Sequence, residues 1–216
     1  MSKNAFVLPM AGLILMSACA RIAEPPATVS VEAVPVDESG WRSVASAADQ
    51  DRIARLESAW TAALAEARSR GFKGAITDEG ELLDPDAALP RAAPPPGSYH
   101  CRVIKIGTQG SRDLAYIAYK PFFCYVEAED DVLIIVKQTG SQRPAGRIYP
   151  ESDERHIFLG TLELGDEDAP LPYGEDPQRD MAGVVERVAP FRYRLVIPWP
   201  RRESTLDVFE LVPVTP

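Results

Sequence analysis

The feature that most constrains the fold is a run of β-prone residues from Asp131 to Leu164, DVLIIVKQTGSQRPAGRIYPESDERHIFLGTLEL. It contains three short stretches rich in branched and aromatic side chains, separated by turn residues such as Gly, Pro, Ser and Asp. No 3.6-residue helical period runs across them. Consecutive strands joined by short turns predict an antiparallel meander, and we expect the flanking sequence to extend it.

The same pattern continues on both sides of this run. In FRYRLVI, which begins at Phe191, every second residue is apolar. About eight strands without crossover helices predict a mainly β fold, an antiparallel up-and-down barrel of the lipocalin-like type. A strongly bent sandwich is the alternative, but closure of a barrel removes the exposed strand edges. The predicted strands are Tyr99–Ile106, Phe122–Glu127, Val132–Thr139, Ala145–Tyr149, Arg155–Leu164, Met181–Ala189, Arg192–Pro198 and Leu206–Val212, with Leu114–Tyr119 as a candidate short addition.

The start of the chain predicts export and attachment to lipid. A short basic beginning precedes an apolar stretch that ends in Met16-Ser-Ala-Cys, which matches a bacterial lipoprotein signal. The apolar stretch is too short to span a bilayer. We predict a signal peptide over residues 1–18, a lipidated Cys19, and a flexible tether over residues 19–40. The alternative is an ordinary signal peptide in which Cys19 is not modified.

Lipid attachment determines the predicted location and partners. Several acyl chains on Cys19 would give durable anchoring, and Ala20 at the next position is similar to sorting signals for the outer membrane. The expected location is the periplasmic face of the outer membrane of a Gram-negative bacterium. The net charge of −9 provides no basic surface for nucleic acid. The predicted partners are the membrane, through the anchor, and an unknown small ligand or envelope protein.

Two segments separate the tether from the predicted barrel, which spans residues 99–213. Residues 41–72 are predicted to be helical and to form one N-terminal α-helix, because apolar residues recur at helical spacing. Ser46, with an acidic residue three positions later, resembles a capping box. Residues 73–98 are rich in Pro and Gly and predict an irregular connector.

Two cysteines, Cys101 and Cys124, fall in neighbouring predicted strands. In an oxidising compartment they predict one disulfide. The alternative is a reactive or metal-binding thiol pair, but no His or Cys with ligand spacing surrounds either residue. We therefore predict no metal site and no cofactor.

The best polar cluster in the sequence lies around the fifth predicted strand. If Arg147 and Tyr149 share an inward face, a guanidinium beside a phenol would bind an anion or a polar ligand. The alternatives are a buried arginine paired with Glu186 or Glu163, or an exposed strand face. The candidate ligand-binding residues are Gln142, Arg143, Arg147, Tyr149 and Arg187.

No motif in the sequence marks a catalytic site. His100 and His156 are the two histidines, and both fall in predicted strands, where a structural role is the common one. Neither G-x-S-x-G nor H-E-x-x-H nor a glycine-rich phosphate loop is present. The acidic loop over residues 165–180 has oxygen ligands for Ca²⁺ but not the spacing of an EF-hand. We predict no catalytic residues, and an enzyme of unknown reaction remains an alternative.

Several stretches together resemble an uncharacterised family of exported Gram-negative proteins that is known only as a domain of unknown function. They are YHCRVIKIG from Tyr99, TGSQRPAGRIYP from Thr139, FLG from Phe158, RDMAGVVER from Arg179, WPRRES from Trp199 and LDVFELVP from Leu206. The resemblance covers roughly residues 41–213 and implies no activity. The predicted barrel is also distantly similar, in architecture alone, to lipocalin-like lipoprotein barrels and bacterial metalloprotease inhibitors. A likeness of architecture does not determine function.

Taken together, the sequence predicts a non-enzymatic barrel that serves as a binding or interaction module at the outer membrane. The alternative is a periplasmic protease inhibitor of the small lipid-anchored barrel type. An inhibitor would use a projecting segment, either Arg21–Glu38 or Lys73–Ser98. A ligand binder would instead keep part of the barrel interior unfilled.

Overall fold

The computed structural model describes residues 40–110, 114–129, 132–137, 142–165, 167 and 169–214. The predicted signal peptide, the lipidated Cys19 and all but the last residue of the tether lie outside these stretches. Within them, no helix combines the length and the apolar character needed to cross a membrane.

A closed antiparallel barrel forms the centre of the protein and confirms the predicted fold. The described residues form nine strands, β1 (Gly97–Ile106), β2 (Tyr116–Ala118), β3 (Phe122–Glu129), β4 (Val132–Lys137), β5 (Gln142–Pro150), β6 (His156–Leu164), β7 (Asp180–Ala189), β8 (Arg192–Pro198) and β9 (Leu206–Pro213). Eight of them follow one another round the barrel in sequence order, and β9 pairs back with β1. The short β2 pairs with the end of β1 that β3 leaves free.

In the described residues before the barrel, the chain forms four short helices. They are α1 (Gly40–Val44), α2 (Ala47–Ala54), α3 (Leu56–Ser69) and α4 (Lys73–Asp78), and a 3₁₀ turn over Gly80–Leu83 follows them. The segment predicted as one helix is thus divided into three. Ser46 caps α2 as predicted, because its hydroxyl accepts a hydrogen bond from the Asp49 amide at 3.2 Å. Arg55 leaves helical geometry, with φ −96° and ψ 18°, and so separates α2 from α3.

Side chains alternate between the barrel interior and its outer wall along each strand. Tyr99, Cys101 and Val103 of β1 point inward, whereas Ile104 contacts the helices outside. The disulfide between Cys101 and Cys124 therefore lies in the interior, where it links β1 to β3, as the sequence predicted. The other fully apolar interior positions are Val126, Ile135, Ile148, Phe158, Val185, Leu195, Ile197, Phe209 and Leu211.

Two glycines leave room for one aromatic ring inside the barrel. Gly146 of β5 and Gly160 of β6 face each other across the ladder. A Cβ on Gly160 would lie 2.5 Å from Phe158 Cζ, and one on Gly146 would lie 2.8 Å from Phe158 Cε2. Neither position has space for a side chain, and the fully buried Phe158 ring fills the interior beside both.

The helices cover two parts of the outer wall. Trp60 and Leu64 of α3 pack on apolar side chains of β1, β8 and β9. Trp41 of α1 and Ile53 of α2 pack on β6 and β7. These contacts bury aromatic and aliphatic surface on both sides. Each Å² of apolar surface removed from water stabilises the structure by about 25 cal/mol, and this stabilisation holds the helices on the barrel.

The connector over residues 73–98 is packed against the barrel and carries α4 and the 3₁₀ turn within the stretch that the sequence predicted as irregular. Leu82 and Leu83 are buried among side chains of the helices and the outer wall. Further along, the Leu89 amide donates to the Arg187 carbonyl at 2.8 Å. The connector therefore adds a layer to the outer wall.

A fully buried arginine fastens this layer to the barrel. Arg194 of β8 points outward and is 0% exposed. Its Nε donates to Glu186 Oε2 at 2.7 Å, and its guanidinium carbon lies 5.0 Å from the centre of the Trp60 ring. Its other nitrogens donate to carbonyl oxygens of the connector, those of Glu81, Leu82, Asp84 and Pro85.

Replacement of Arg194 by Met should lower the free energy of unfolding by about 3–5 kcal/mol, because Glu186 is then left buried without its counter-charge. Urea unfolding followed by circular dichroism measures this loss. The double variant Arg194→Met/Glu186→Met should recover part of it, since the unpaired carboxylate is also gone.

The matched control is Arg147→Met on β5. Arg147 also pairs with a glutamate, Glu129, but both side chains are more than half exposed. Exposed ion pairs contribute about 1 kcal/mol or less. Equal losses in the two arginine variants would contradict the role given to Arg194.

The disulfide should contribute about 3 kcal/mol, because it closes a loop across a sequence separation of 23 residues. Urea unfolding with and without dithiothreitol measures this contribution. The variant Cys101→Ala/Cys124→Ala should unfold at lower urea than the oxidised protein and be insensitive to the reductant. A wild-type protein that is equally insensitive would show that the bond does not stabilise the fold.

Candidate functional site

One end of the barrel interior is not filled by side chains. It holds a cavity of about 270 Å³, near the lower end of the ~300–1,000 Å³ usual for small-molecule sites. The cavity lies where β4, β6 and β8 end, and the loops that follow β6 and β8 contribute to its rim. An eight-stranded barrel has room for packed side chains or for one small ligand, and this barrel has both, at opposite ends.

The deeper wall of the cavity is apolar. It is built from inward positions of strands that lie next to one another round the barrel, because alternation puts every second residue inside. A surface of this kind favours an apolar guest, since both surfaces leave water on binding. The apolar residues of this deeper wall are Val103, Pro144, Leu162, Met181, Ile197 and Phe209.

A charge cluster with Asp207 buried at its centre lies on one side of the cavity. Lys105 Nζ lies 2.6 Å from Glu203 Oε2 and 3.6 Å from Asp207 Oδ2, and the Ser204 hydroxyl also donates to Asp207. Burial raises the pKa of Asp207, and the Glu203 carboxylate acts in the same direction. Burial alone would lower the pKa of Lys105, but the two carboxylates outweigh it and hold that pKa above its usual value. Two carboxylates therefore share one ammonium group here.

Lys137, at the end of β4, has different surroundings. Its Nζ donates to the Gln142 carbonyl at 2.7 Å and lies 4.3 Å from the centre of the Phe122 ring. No carboxylate in the described part of the chain forms an ion pair with it. Burial lowers the pKa of Lys137, and the positive charges of Lys105 and Arg143 lower it further. Lys137 thus brings to the cavity a positive charge that no carboxylate of the described residues neutralises.

The rim carries further charged groups. Arg201, in the loop after β8, has a buried Nε that forms no hydrogen bond with any described residue. Asp180, at the start of β7, accepts a hydrogen bond from the Gly174 amide at 2.9 Å. Burial raises the pKa of Asp180, an effect that the nearby Asp49 carboxylate increases and the charge of Arg201 opposes.

Of the five residues predicted to bind a ligand, Gln142 lines this cavity. Arg143 and Arg147 lie on the outer face of β5. Arg143 pairs with Glu163, and its Nη2 donates to the Glu167 carbonyl at 2.8 Å. Arg147 Nη2 lies 3.0 Å from Glu129 Oε2 on the exposed wall. The structure therefore has an exposed strand face at Arg147, one of the three arrangements that the sequence left open, because Ile148 and not Arg147 points inward.

The other two predicted residues also lie away from the cavity. Tyr149 packs outside the barrel against the cluster that contains Trp41. Arg187, near the end of β7, donates from Nε to the Pro90 carbonyl at 2.7 Å and so helps to hold the connector. The predicted cluster is thus divided between the two faces of the wall, while the neighbouring Ser141 lies outside the described residues.

The histidines do not line the cavity, whereas the end of the acidic loop does, through Asp176, Gln178, Arg179 and Asp180. His100 is exposed on the outer wall, where its ring centre lies 5.2 Å from that of Phe123. His156 is partly buried, and burial lowers its pKa. In the loop before β7, Arg179 pairs with Glu167 and Asp176. Across the described stretches of the chain, no group of three or more His, Cys, Asp or Glu side chains is placed to hold a metal ion.

Sequence reasoning missed the charged residues of the cavity, although a signal for them is present. Lys105 stands two residues after the inward Val103, and Lys137 two residues after the inward Ile135. Asp207 stands two residues before the inward Phe209. A charged residue that continues an apolar, inward-facing series marks the end of a strand where the interior meets water. Because consecutive strands of the barrel run in opposite directions, the ends of β1 and β4 and the start of β9 lie at the same end, and so the three charges do too.

Comparisons with known proteins give a family and no activity. A search of curated proteins and a search of solved structures each found no match. The model of a family described as a domain of unknown function, DUF4893, matches residues 41–211. That match spans the helices and the barrel up to the last strand, so the chain belongs to the DUF4893 family.

Proposed function

We propose that this protein is a binding module that holds one small, mainly apolar molecule inside its barrel. The observation that carries this proposal is the cavity of about 270 Å³ at one end of an otherwise packed interior. Its lining comes from strands on several sides of the closed wall, so a bound molecule would contact β1 and β4 to β9 together.

The construction of the barrel supports this role. The strands form a closed ladder, and the Cys101–Cys124 disulfide and the Phe158 ring fill the rest of the interior. A cavity in such a frame is formed before the ligand arrives, and a preformed site avoids the free-energy cost of ordering side chains on binding. The apolar deeper wall provides affinity, and the polar rim fixes the orientation of the guest.

The protease-inhibitor alternative has less support. One of the two segments considered for that role, Lys73–Ser98, packs on the outer wall, where Arg194 binds its carbonyl groups. The other, Arg21–Glu38, lies outside the described residues. An envelope protein as partner and an enzyme of unknown reaction are likewise alternatives without a specific contact in their favour.

We also propose the location that the sequence predicts. Residues 1–18 act as a signal peptide, Cys19 carries the lipid, and residues 19–40 tether the barrel at the periplasmic face of the outer membrane. The motif Met16-Ser-Ala-Cys and the short apolar stretch before it support this placement. A tethered barrel with its own cavity would hold its ligand close to the membrane surface.

Replacement of Leu162 by Trp should fill the cavity and weaken binding of the neutral probe N-phenyl-1-naphthylamine by about tenfold or more, equivalent to ~1.4 kcal/mol. Leu162 is one of the residues that line the cavity. Fluorescence titration of the purified protein measures the dissociation constant.

The matched control for this experiment is Leu114→Trp, which makes the same substitution at a site that is 59% exposed and outside the cavity lining. It should leave probe binding unchanged. Equal probe affinities in both variants and wild type, together with no co-purifying small molecule in native mass spectra of the envelope protein, would overturn the proposed function.

Replacement of Cys19 by Ser should release the protein from the membrane pellet into the soluble periplasmic fraction, because no acyl chain can then be attached. Fractionation of cells that express each form, followed by immunoblotting, measures the distribution. The variant Cys101→Ala/Cys124→Ala serves as a control, since it removes thiols without touching the anchor. A Cys19→Ser protein that stays with the membrane would contradict lipid attachment.

A further inference from the structure

From the charges around the cavity we infer that its ligand is a small amphiphile ending in a carboxylate, with that group held at the rim by Lys137 and Arg201. This inference rests on the proposed function and narrows it to a class of molecule. Its starting point is the division of the cavity into an apolar deeper wall and a charged rim.

Basic side chains outnumber acidic ones in the cavity lining. Among the described residues, six basic and four acidic side chains line the cavity, but Arg52 pairs with Asp49 and Arg179 with Glu167, two carboxylates outside the lining. The preference for an anion therefore rests on the individual groups at the rim and not on the sum of the charges. The basic residues are Arg52, Lys105, Lys137, Arg179, Arg201 and Arg202, and the acidic ones are Asp176, Asp180, Glu203 and Asp207.

The two lysines of the cavity, Lys105 and Lys137, differ in whether their positive charge is paired with a carboxylate. Lys105 is shared by Glu203 and Asp207, so it is already compensated within the protein. Lys137 has a carbonyl and an aromatic ring as partners and no ion pair with any described carboxylate. An ammonium group has three N–H donors, and one of them reaches the Gln142 carbonyl. Donors remain for a ligand oxygen.

Arg201 provides a second, independent observation. Its Nε is buried at the rim and makes no hydrogen bond within the described part of the chain. A buried donor without a partner is unfavourable, and an acceptor bound beside it would satisfy it. A carboxylate is the small anion that uses both groups well, because its two oxygens accept hydrogen bonds from a lysine and an arginine together.

The depth of the cavity determines the rest of the molecule. Beyond the rim, the guest meets Val103, Met181 and Phe209, which offer no polar group to a second charge. A doubly charged or extensively hydroxylated molecule would lose its hydration there without replacement. The carboxylate therefore needs a short apolar body, either an alkyl chain or a single ring.

Isothermal titration calorimetry tests this inference by measuring the dissociation constants of the purified protein for three probes of equal chain length. The probes are octanoate, 1-octanol and octylamine at neutral pH. Wild type should bind octanoate about tenfold or more tightly than octylamine, because only the anion matches the rim. This comparison involves no substitution, so it does not depend on whether a variant folds.

Lys137→Gln should weaken octanoate binding by about tenfold and leave octanol binding within a factor of about two. The matched control is Lys120→Gln, which removes the same charge from an exposed position that does not line the cavity. It should change neither affinity. Arg201→Gln, as a second rim variant, should likewise act on octanoate and spare octanol.

Each outcome has a defined meaning. Binding of octanol together with equal binding of octanoate and octylamine would overturn the carboxylate assignment and leave the proposed function in place. No binding of any of the three probes by wild type would instead count against the proposed function. A loss of octanoate binding in Lys137→Gln without a loss of octanol binding excludes a merely structural role for this lysine, because a collapsed cavity would lose both.

Discussion

The pairing of β9 with β1 is the constraint on which the rest of the structure depends. Eight residues of β1, from Tyr99 to Ile106, are matched with β9. This ladder turns an open meander into a closed wall, so that no long strand edge is left for another chain. Closure also gives every strand an inside and an outside. Because successive side chains point to opposite faces, the register of one ladder decides which residues of all the others share the interior.

The outer wall is then completed by the first half of the chain. Closure places Arg194 outside, on a surface that the helices cover, and a buried guanidinium is stable there only if each of its donors is satisfied. Glu186 and four connector carbonyls satisfy them. The connector is therefore bound partly through its backbone, in addition to the buried Leu82 and Leu83 side chains. Backbone contacts do not depend on helical or strand periodicity, which explains why a Pro- and Gly-rich segment still has a fixed position.

Much of this could be predicted, because alternation and turn residues are local signals. All eight predicted barrel strands are present, as is the disulfide. Local signals do not predict features that depend on contacts between segments distant in the sequence. Phe191 continues the apolar alternation of β8, yet it lies in the preceding turn with φ 56° and is 74% exposed. Arg147 fell on the outer face because Gly146, next to it, faces Gly160 inside. The end at which the interior stays unfilled depends on long-range register, which no single segment contains.

The open cavity and its charged lining have the same cause, which is the type of side chain at the inward positions of each barrel end. At the far end, Tyr99, Phe158 and the disulfide fill the interior with groups that pack without water. At the near end, the corresponding inward positions carry Lys105, Lys137 and Asp207. Lys105 and Lys137 stay only partly buried, since a charged side chain loses its hydration on close packing, and the interior remains open beside them. A molecule that binds to the apolar wall must therefore pass these charges as it enters. The charged residues of the rim thus determine which apolar molecules bind.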